Sequence, residues 1–170
     1  NTLRRASAVH PVAAVQSEYS IWSREPEAGM LAACRELGTG FVAYSPLGRG
    51  FLAGNFSRLS ELPGNDNRRS HPRFQDGNAD QNQRLVQALS TFAASIGATP
   101  AQVAIGWVLA QAPEVITIPG MKTRQHLADN LRGGALNLSP AQLREIDDLA
   151  QALPVAGERH PPAMMKILDY

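Results

Sequence analysis

Apolar residues recur along this chain with two rhythms, and each rhythm marks a kind of element. Short apolar runs, Val12-Ala13-Ala14-Val15 closed by Gln16, Phe41-Val42-Ala43-Tyr44 and Val115-Ile116-Thr117-Ile118, predict strands buried as in a parallel sheet. Elsewhere the period is helical. Pro26 and Glu27 suit a first turn, Met30, Leu31, Cys34 and Leu37 follow at helical spacing, and Gly38 and Gly40 can end the helix. Leu85, Ala88, Leu89, Phe92 and Ile96 share one face of a later helix. Thr99-Pro100-Ala101-Gln102 and Ser139-Pro140-Ala141-Gln142 each supply a capping hydroxyl, a proline at the first helical position and a glutamine placed to complete a capping box. The last helix turns Leu143, Ile146, Leu149 and Leu153 inward and Arg144, Glu145, Asp147 and Asp148 outward, and Pro154 stops it. Leu3, Ala6 and Val9 make an amphipathic segment at the start, without a preceding cap or strand, which reads like a cut. The tail through Pro161-Pro162 is expected on the surface.

Three buried strands, each followed by helix, indicate an α/β fold, either a doubly wound sheet or part of a (β/α) barrel. The first strand, helix and second strand form a βαβ unit, whose strands are normally parallel. Between Gly50 and residue 80 lies a polar tract with Pro63-Gly64, Asn65-Asp66-Asn67 and the cations Arg68, Arg69 and Arg73. Its many turn formers exclude it from the core, and loops this long are usually functional or mobile.

Composition narrows the function. A chain of 170 residues with 44% hydrophobic content supports one domain over residues 1–170. Sixteen basic and 15 acidic residues give a net charge of +1, so no long-range field favours nucleic acid or an acidic membrane. No run approaches the length of a membrane span. The single cysteine, Cys34, excludes an internal disulfide and suits a reducing cytoplasm, where a soluble protein is expected. Cys34 lies on an apolar helical face, where an inert thiol is the favoured reading. His71 and His160 lie in proline-bearing loops without spaced metal-ligand partners.

In either α/β architecture, ligands gather where strands end. Gln16 closes the first strand, Tyr44-Ser45-Pro46-Leu47-Gly48-Arg49-Gly50 follows the second, and Pro119-Gly120-Met121-Lys122-Thr123 follows the third. A glutamine can bond a carboxamide and a tyrosine can stack on a flat heterocycle. On spacing alone, a core role for Tyr44 and a rim role for Gln16 remain equally open. Thr123 can cap a helix starting near Arg124, whose N-terminus, with Lys122, suits a phosphate. Arg124 and His126 add donors, and Asp129 and Asn130 offer groups for an adenine edge.

Together with Gln16-Ser17-Glu18-Tyr19-Ser20, the extended segment through Phe51-Leu52-Ala53-Gly54, Pro72-Arg73-Phe74-Gln75 and Asp129-Asn130, these motifs resemble the carboxyl-terminal half of an aldo-keto reductase. The similarity extends over essentially the whole chain, and to plant and bacterial reductases and potassium-channel beta subunits. The resemblance implies the last three strands, with their helices, of a (β/α)₈ TIM barrel, and NADPH as cofactor. It implies Gln16 at the nicotinamide carboxamide and Tyr44 stacked on its ring. Ser45, Pro46, Leu47, Gly48 and Arg49 would line the pyrophosphate. Gly120, Lys122 and His126 would surround the 2′-phosphate, with Asp129 and Asn130 at the adenine. Some related proteins carry lysine where Asn55 stands; Arg68, Arg69 or Arg73 could substitute from the tract of residues 50–80, which the resemblance would then make a lid over the cofactor, while a solvated charge run is the favoured alternative.

The family's proton-donating tyrosine and its supporting lysine, aspartate and histidine lie in the other half of the barrel, and no segment here resembles them. Tyr19 and His10 are on the wrong elements to replace them. The resemblance therefore implies a chain inactive by itself, from a parent that reduces a small aldehyde or ketone. It also implies an open sheet edge suited to a complementary half or a second copy. A non-catalytic nucleotide-binding module, like the channel beta subunits, is the alternative. An unrelated doubly wound dinucleotide fold would favour G-x-G-x-x-G after the first strand, which is absent.

Overall fold

Three parallel strands lie side by side in chain order, β1 (Ala14–Glu18), β2 (Gly40–Tyr44) and β3 (Val115–Ile118). They come from a computed structural model describing residues 1–75 and 77–166. The helices are α1 (Thr2–Ser7), α2 (Met30–Leu37), α3 (Asn78–Ser95), α4 (Pro100–Leu109), α5 (Arg124–Gly134), α6 (Pro140–Ala152) and α7 (Pro162–Met165). The expected α/β class with a parallel sheet is what forms.

The strand register is Gln16 opposite Val42 and Val42 opposite Ile116, with Glu18, Tyr44 and Ile118 in line at the carboxyl ends. Because side chains alternate along a strand, this register sorts the sheet into two faces. Phe41, Ala43 and Val115 are buried on the face covered by α2 and α4. Gln16, Val42, Tyr44, Ile116 and Ile118 occupy the other face, where Ile116 is 56% exposed and Ile118 48%. The sheet is thus closed on one side and only partly covered on the other, where Glu18 is wholly buried but Ile116 and Ile118 are exposed, so the expectation of strands buried on both faces is corrected.

Several local predictions hold. Both capping boxes form, at Thr99 with Gln102 and at Ser139 with Gln142. Thr123 caps α5 by accepting from the His126 N–H at 3.1 Å. Gly38, in the left-handed conformation at φ 64°, ends α2. Leu85, Leu89 and Phe92 are buried on α3, and Ile146 on α6.

Others shift. β1 begins and ends two residues later than Val12–Gln16, because its ladder with β2 continues to Glu18. The Pro26 turn is a separate 3₁₀ turn, Glu25–Ala28, broken from α2 by Gly29, and Met30 is 39% exposed. Val9 lies beyond α1 and is 90% exposed. Asp147 does not simply face solvent, since it accepts from Arg24 Nη1 at 2.8 Å and from Trp107 Nε1 at 3.1 Å.

The largest corrections concern the long tract and the tail. Residues 50–80 supply core residues: Phe51, Leu52, Phe56, Leu62 and Phe74 are buried. Phe51, Phe56, Phe74 and Trp22 form a mutually packed aromatic cluster with ring centroids 5.2–6.1 Å apart. Aromatic burial of this kind stabilises each ring by about 1.5–3 kcal/mol and anchors the tract between short turns. In the tail, Arg159 and His160 are buried rather than on the surface. Asn82 exchanges hydrogen bonds with Ala156 at 2.7 and 3.0 Å, holding the tail against α3. Among the described residues, no single helix is long and apolar enough to cross a membrane.

Candidate functional site

The carboxyl ends of β2 and β3 open onto a pocket of about 310 Å³ lined by Leu47, Ala53, Asn55, Thr99, Pro100, Ala101, Gly120, His126, Asp129 and Asn130. Five candidates named from the sequence meet here: Leu47, Gly120, His126, Asp129 and Asn130. A larger groove, about 470 Å³, lies between the segment after β1 and helices α3 and α6, and contains none of them. Chemistry and volume point to different places, and the polar groups converge on the smaller one.

The turn after β2 owes its shape to unusual backbone. Ser45, Gly48, Arg49 and Gly50 have φ of 53°, 54°, 57° and 94°. Positive φ is uncommon for non-glycine residues, so Ser45 and Arg49 are held there by their surroundings. The Gly48 N–H donates to the Ser45 carbonyl at 3.0 Å and the Gly50 N–H to Leu47 at 2.9 Å. These glycines therefore shape the turn rather than present spare donors. Gly48 also admits Trp22: a Cβ there would sit 2.5 Å from Trp22 Cζ2. Pro46 and Gly48 are both buried.

After β3, Gly120 has open space around it and Lys122 is exposed. Lys122 faces the long tract, where its charge helps stabilise the Asp66 carboxylate. That carboxylate is held down to a pKa of about 2, first by hydrogen bonds from the Arg68 side chain and backbone. In α5, Asn130 is 7% exposed, lines the pocket, and has a buried Nδ2 with no hydrogen-bond partner. Buried amides are rarely left unpaired, so this is a position where an outside acceptor would be welcome. Asp129, by contrast, is engaged: it accepts from Thr99 Oγ1 at 3.1 Å and from Gln102 Nε2, tying α5 to the start of α4.

Gln16 and Tyr44 share the open sheet face on adjacent strands. Tyr44 is half-buried, and burial, followed by the nearby Glu18 charge, pushes its phenol above its ordinary pKa. It is a neutral ring at physiological pH. Arg49 reaches Glu18, with Nη2 3.4 Å from Oε2.

Arg68, Arg69 and Arg73 are committed to the protein's own framework and are poor candidates for substitute phosphate ligands. Arg68 pairs with Asp66 at 2.7 Å and donates to the Arg49 carbonyl at 3.0 Å. Arg69 donates to the carbonyls of Leu59 and Leu62. Arg73 is buried beside Ser23 and Glu18. Sequence reasoning missed the buried Glu18 cluster and the contribution of Thr99, Pro100 and Ala101 to the pocket. Glu18 carried a legible signal, being two residues from Gln16 and so on the same strand face.

The other reactive side chains have local partners. The Tyr19 hydroxyl donates to Glu27 at 2.8 Å, and burial raises its pKa. Burial, reinforced by Glu114, likewise raises the Cys34 thiol. Among the described residues, no group of three or more His, Cys, Asp or Glu could hold a metal ion.

Comparison with known proteins gives this geometry a context. The model of the aldo/keto reductase family matches residues 1–151. The chain is 43% identical over 160 residues to a probable aldo-keto reductase 1 of Glycine max, covering 94% of this chain and 46% of that protein. It is 42% identical over 165 residues to the NADP(+) aldo-keto reductase yakc of Schizosaccharomyces pombe, covering 95% and 48%. The chain thus spans about half the length of the curated relatives it matches. Its fold superimposes on a glycerol dehydrogenase from Gluconobacter oxydans with a TM-score of 0.79 at 24% identity, covering 89% of this chain and 46% of that one. A thermostable aldo-keto reductase solved with the inhibitor epalrestat gives a TM-score of 0.57 at 28% identity, covering 82% and 40%.

Proposed function

The chain belongs to the aldo/keto reductase family, and from that premise we propose that it is the NADPH-binding portion of a carbonyl reductase. The observation that carries this reading is the convergence of Leu47, Gly120, His126, Asp129 and Asn130 on one pocket. The unpartnered Asn130 amide and the open space at Gly120 fit a nucleotide with polar edges. Lys122 supplies an exposed cation beside a capped helix N-terminus, a combination that favours a phosphate. His126 adds a further donor on the same turn.

In this reading Gln16 holds the nicotinamide carboxamide and Tyr44 stacks on its ring. Ser45, Pro46, Leu47, Gly48 and Arg49 lie along the pyrophosphate. Gly120, Lys122 and His126 take the 2′-phosphate, and Asp129 and Asn130 take the adenine side. Asp129 does so while bonded to Thr99 and Gln102, so it acts by fixing α5 and orienting Asn130. When bound, NADPH supplies the hydride delivered to an aldehyde or ketone. The residues described here bind and orient it. The proton donor comes from elsewhere in the parent protein, so this chain alone is inactive.

The same reading makes the three strands part of a (β/α)₈ barrel. The exposed Ile116 and Ile118 face and the free edges of β1 and β3 would be covered by a complementary half or by another copy. The coverage of about half of each relative supports this. Fluorescence titration with NADPH, run beside an aldehyde-reduction assay, tests the proposal. Saturable binding without turnover is expected. Turnover by the purified chain contradicts its inactivity, and failure to bind removes the proposed role of the pocket.

A further inference from the structure

Glu18 is the only acidic residue among the described residues that is wholly buried. It stands at the carboxyl end of β1, in register with Tyr44. Ser23 Oγ donates to its Oε1 at 2.9 Å, and Arg73 Nη1 donates to the same Ser23 hydroxyl at 2.6 Å while lying 3.7 Å from Oε1. On the other side Arg49 Nη2 approaches Oε2 at 3.4 Å. One carboxylate therefore faces two guanidiniums from different segments.

Each guanidinium leads to a part of the nucleotide site or its surroundings. Arg49 sits in the turn after β2 with φ of 57°, and its carbonyl accepts from Arg68 at 3.0 Å. Arg73 belongs to the long tract. Its guanidinium lies 5.2 Å from the Trp22 ring centroid, and its Nε donates to the Gly157 carbonyl of the tail at 3.4 Å. Trp22 in turn occupies the space that Gly48 leaves open. The turn and the tract thus meet at Glu18, and the tail joins them through Arg73, although all three are distant in sequence.

A buried carboxylate is an expensive way to fill this space unless its charge is used. The available use is to fix two cations. Without Glu18, Arg49 would lose the carboxylate beside its guanidinium, leaving the left-handed backbone at that residue to the turn's own hydrogen bonds and to Arg68 on its carbonyl. We propose that Glu18 is a positioning residue of the nucleotide site, holding Arg49 and Arg73 so that the 45–50 turn and the 71–74 segment keep a single arrangement. It acts on ligand affinity through Arg49. This rests on the nucleotide-binding reading above, but its backbone consequence does not need a bound nucleotide.

The test compares the wild type with Glu18→Gln, Arg49→Met and the double variant. Hydrogen exchange without nucleotide and NADPH titration are the two measurements. Glu18→Gln should speed exchange in residues 45–50 and 71–74 while leaving α5 unchanged, and should weaken NADPH binding about tenfold. Arg49→Met should weaken binding similarly, the double variant should be no weaker than Arg49→Met alone, and Arg49→Lys should restore most of the affinity. Unchanged exchange in Glu18→Gln, or additive losses in the double variant, overturns the proposal. If Glu18→Gln does not fold, Arg49→Met decides by the same exchange measurement, and unchanged exchange at 45–50 overturns it. A wild type that binds no NADPH defeats the functional reading instead, and the nucleotide-free exchange still decides whether Glu18 holds the turn.

Discussion

At the scale of single residues, the site depends on positions whose chemistry is simple but whose surroundings are demanding. Gly48 combines a positive φ with a close approach to Trp22. Gly48→Ala should cost about 1–3 kcal/mol by overpacking and backbone strain, measured as a lower urea midpoint with an unchanged slope. NADPH affinity should fall with it. Lys122 is the reverse case, exposed and free to adapt. Lys122→Ala should leave the urea midpoint almost unchanged and weaken NADPH about tenfold, while NADH, lacking the 2′-phosphate, should bind equally to both forms. Equal weakening toward the two nucleotides would sink the assignment of Lys122 to that phosphate. Gly48 and Lys122 were both legible in the sequence, from their loops after apolar runs. What Gly48 touches was not, because Trp22 lies 26 residues earlier and only packing brings it near.

At the scale of elements, two helices are joined through their ends and through a stripe of close contact. Thr99 caps α4 and also donates to Asp129 of α5. Thr99→Ala should destabilise the protein by about 1 kcal/mol through the cap, and Thr99→Ser should recover most of it in thermal or urea unfolding. Gly133 of α5 sits against α4, where a Cβ would meet Gln102 Cα and Ile105 Cβ at 3.0 Å. Gly133→Val should therefore separate α4 from α5 and loosen the pocket wall carrying Asn130, detectable as faster amide exchange in α5. The capping boxes were readable because every participating residue lies within one turn. The β1 boundary was not, since the extension to Glu18 comes from pairing with β2.

At the scale of the whole molecule, the tail and the long tract meet through His71 and His160, whose ring centroids are 5.7 Å apart. His71 Nδ1 lies 3.3 Å from the Arg159 carbonyl. Burial, aided by the Arg49 charge, lowers both histidine pKa values below the ordinary imidazole value. The unfolded chain then binds protons more readily, so stability should be full above about pH 6.5 and decline as pH falls toward the depressed folded values. Replacing both histidines by asparagine should flatten the thermal midpoint between pH 7 and 5. A slope as steep as that of the wild type would remove these rings as its source. Asp66 works in the same sense at lower pH: its contribution persists above the ordinary carboxylate value and is lost as pH drops from about 4 toward its folded pKa of about 2. By itself the sequence determined the three strands, the capped helices and the loops that carry the nucleotide candidates, because periodicity and capping are local properties. Which candidates share a pocket, the anchoring of the polar tract and the tail, and the burial of Glu18 between two arginines emerge on folding. Those outcomes depend on pairing and packing between segments far apart along the chain, and no local pattern encodes them.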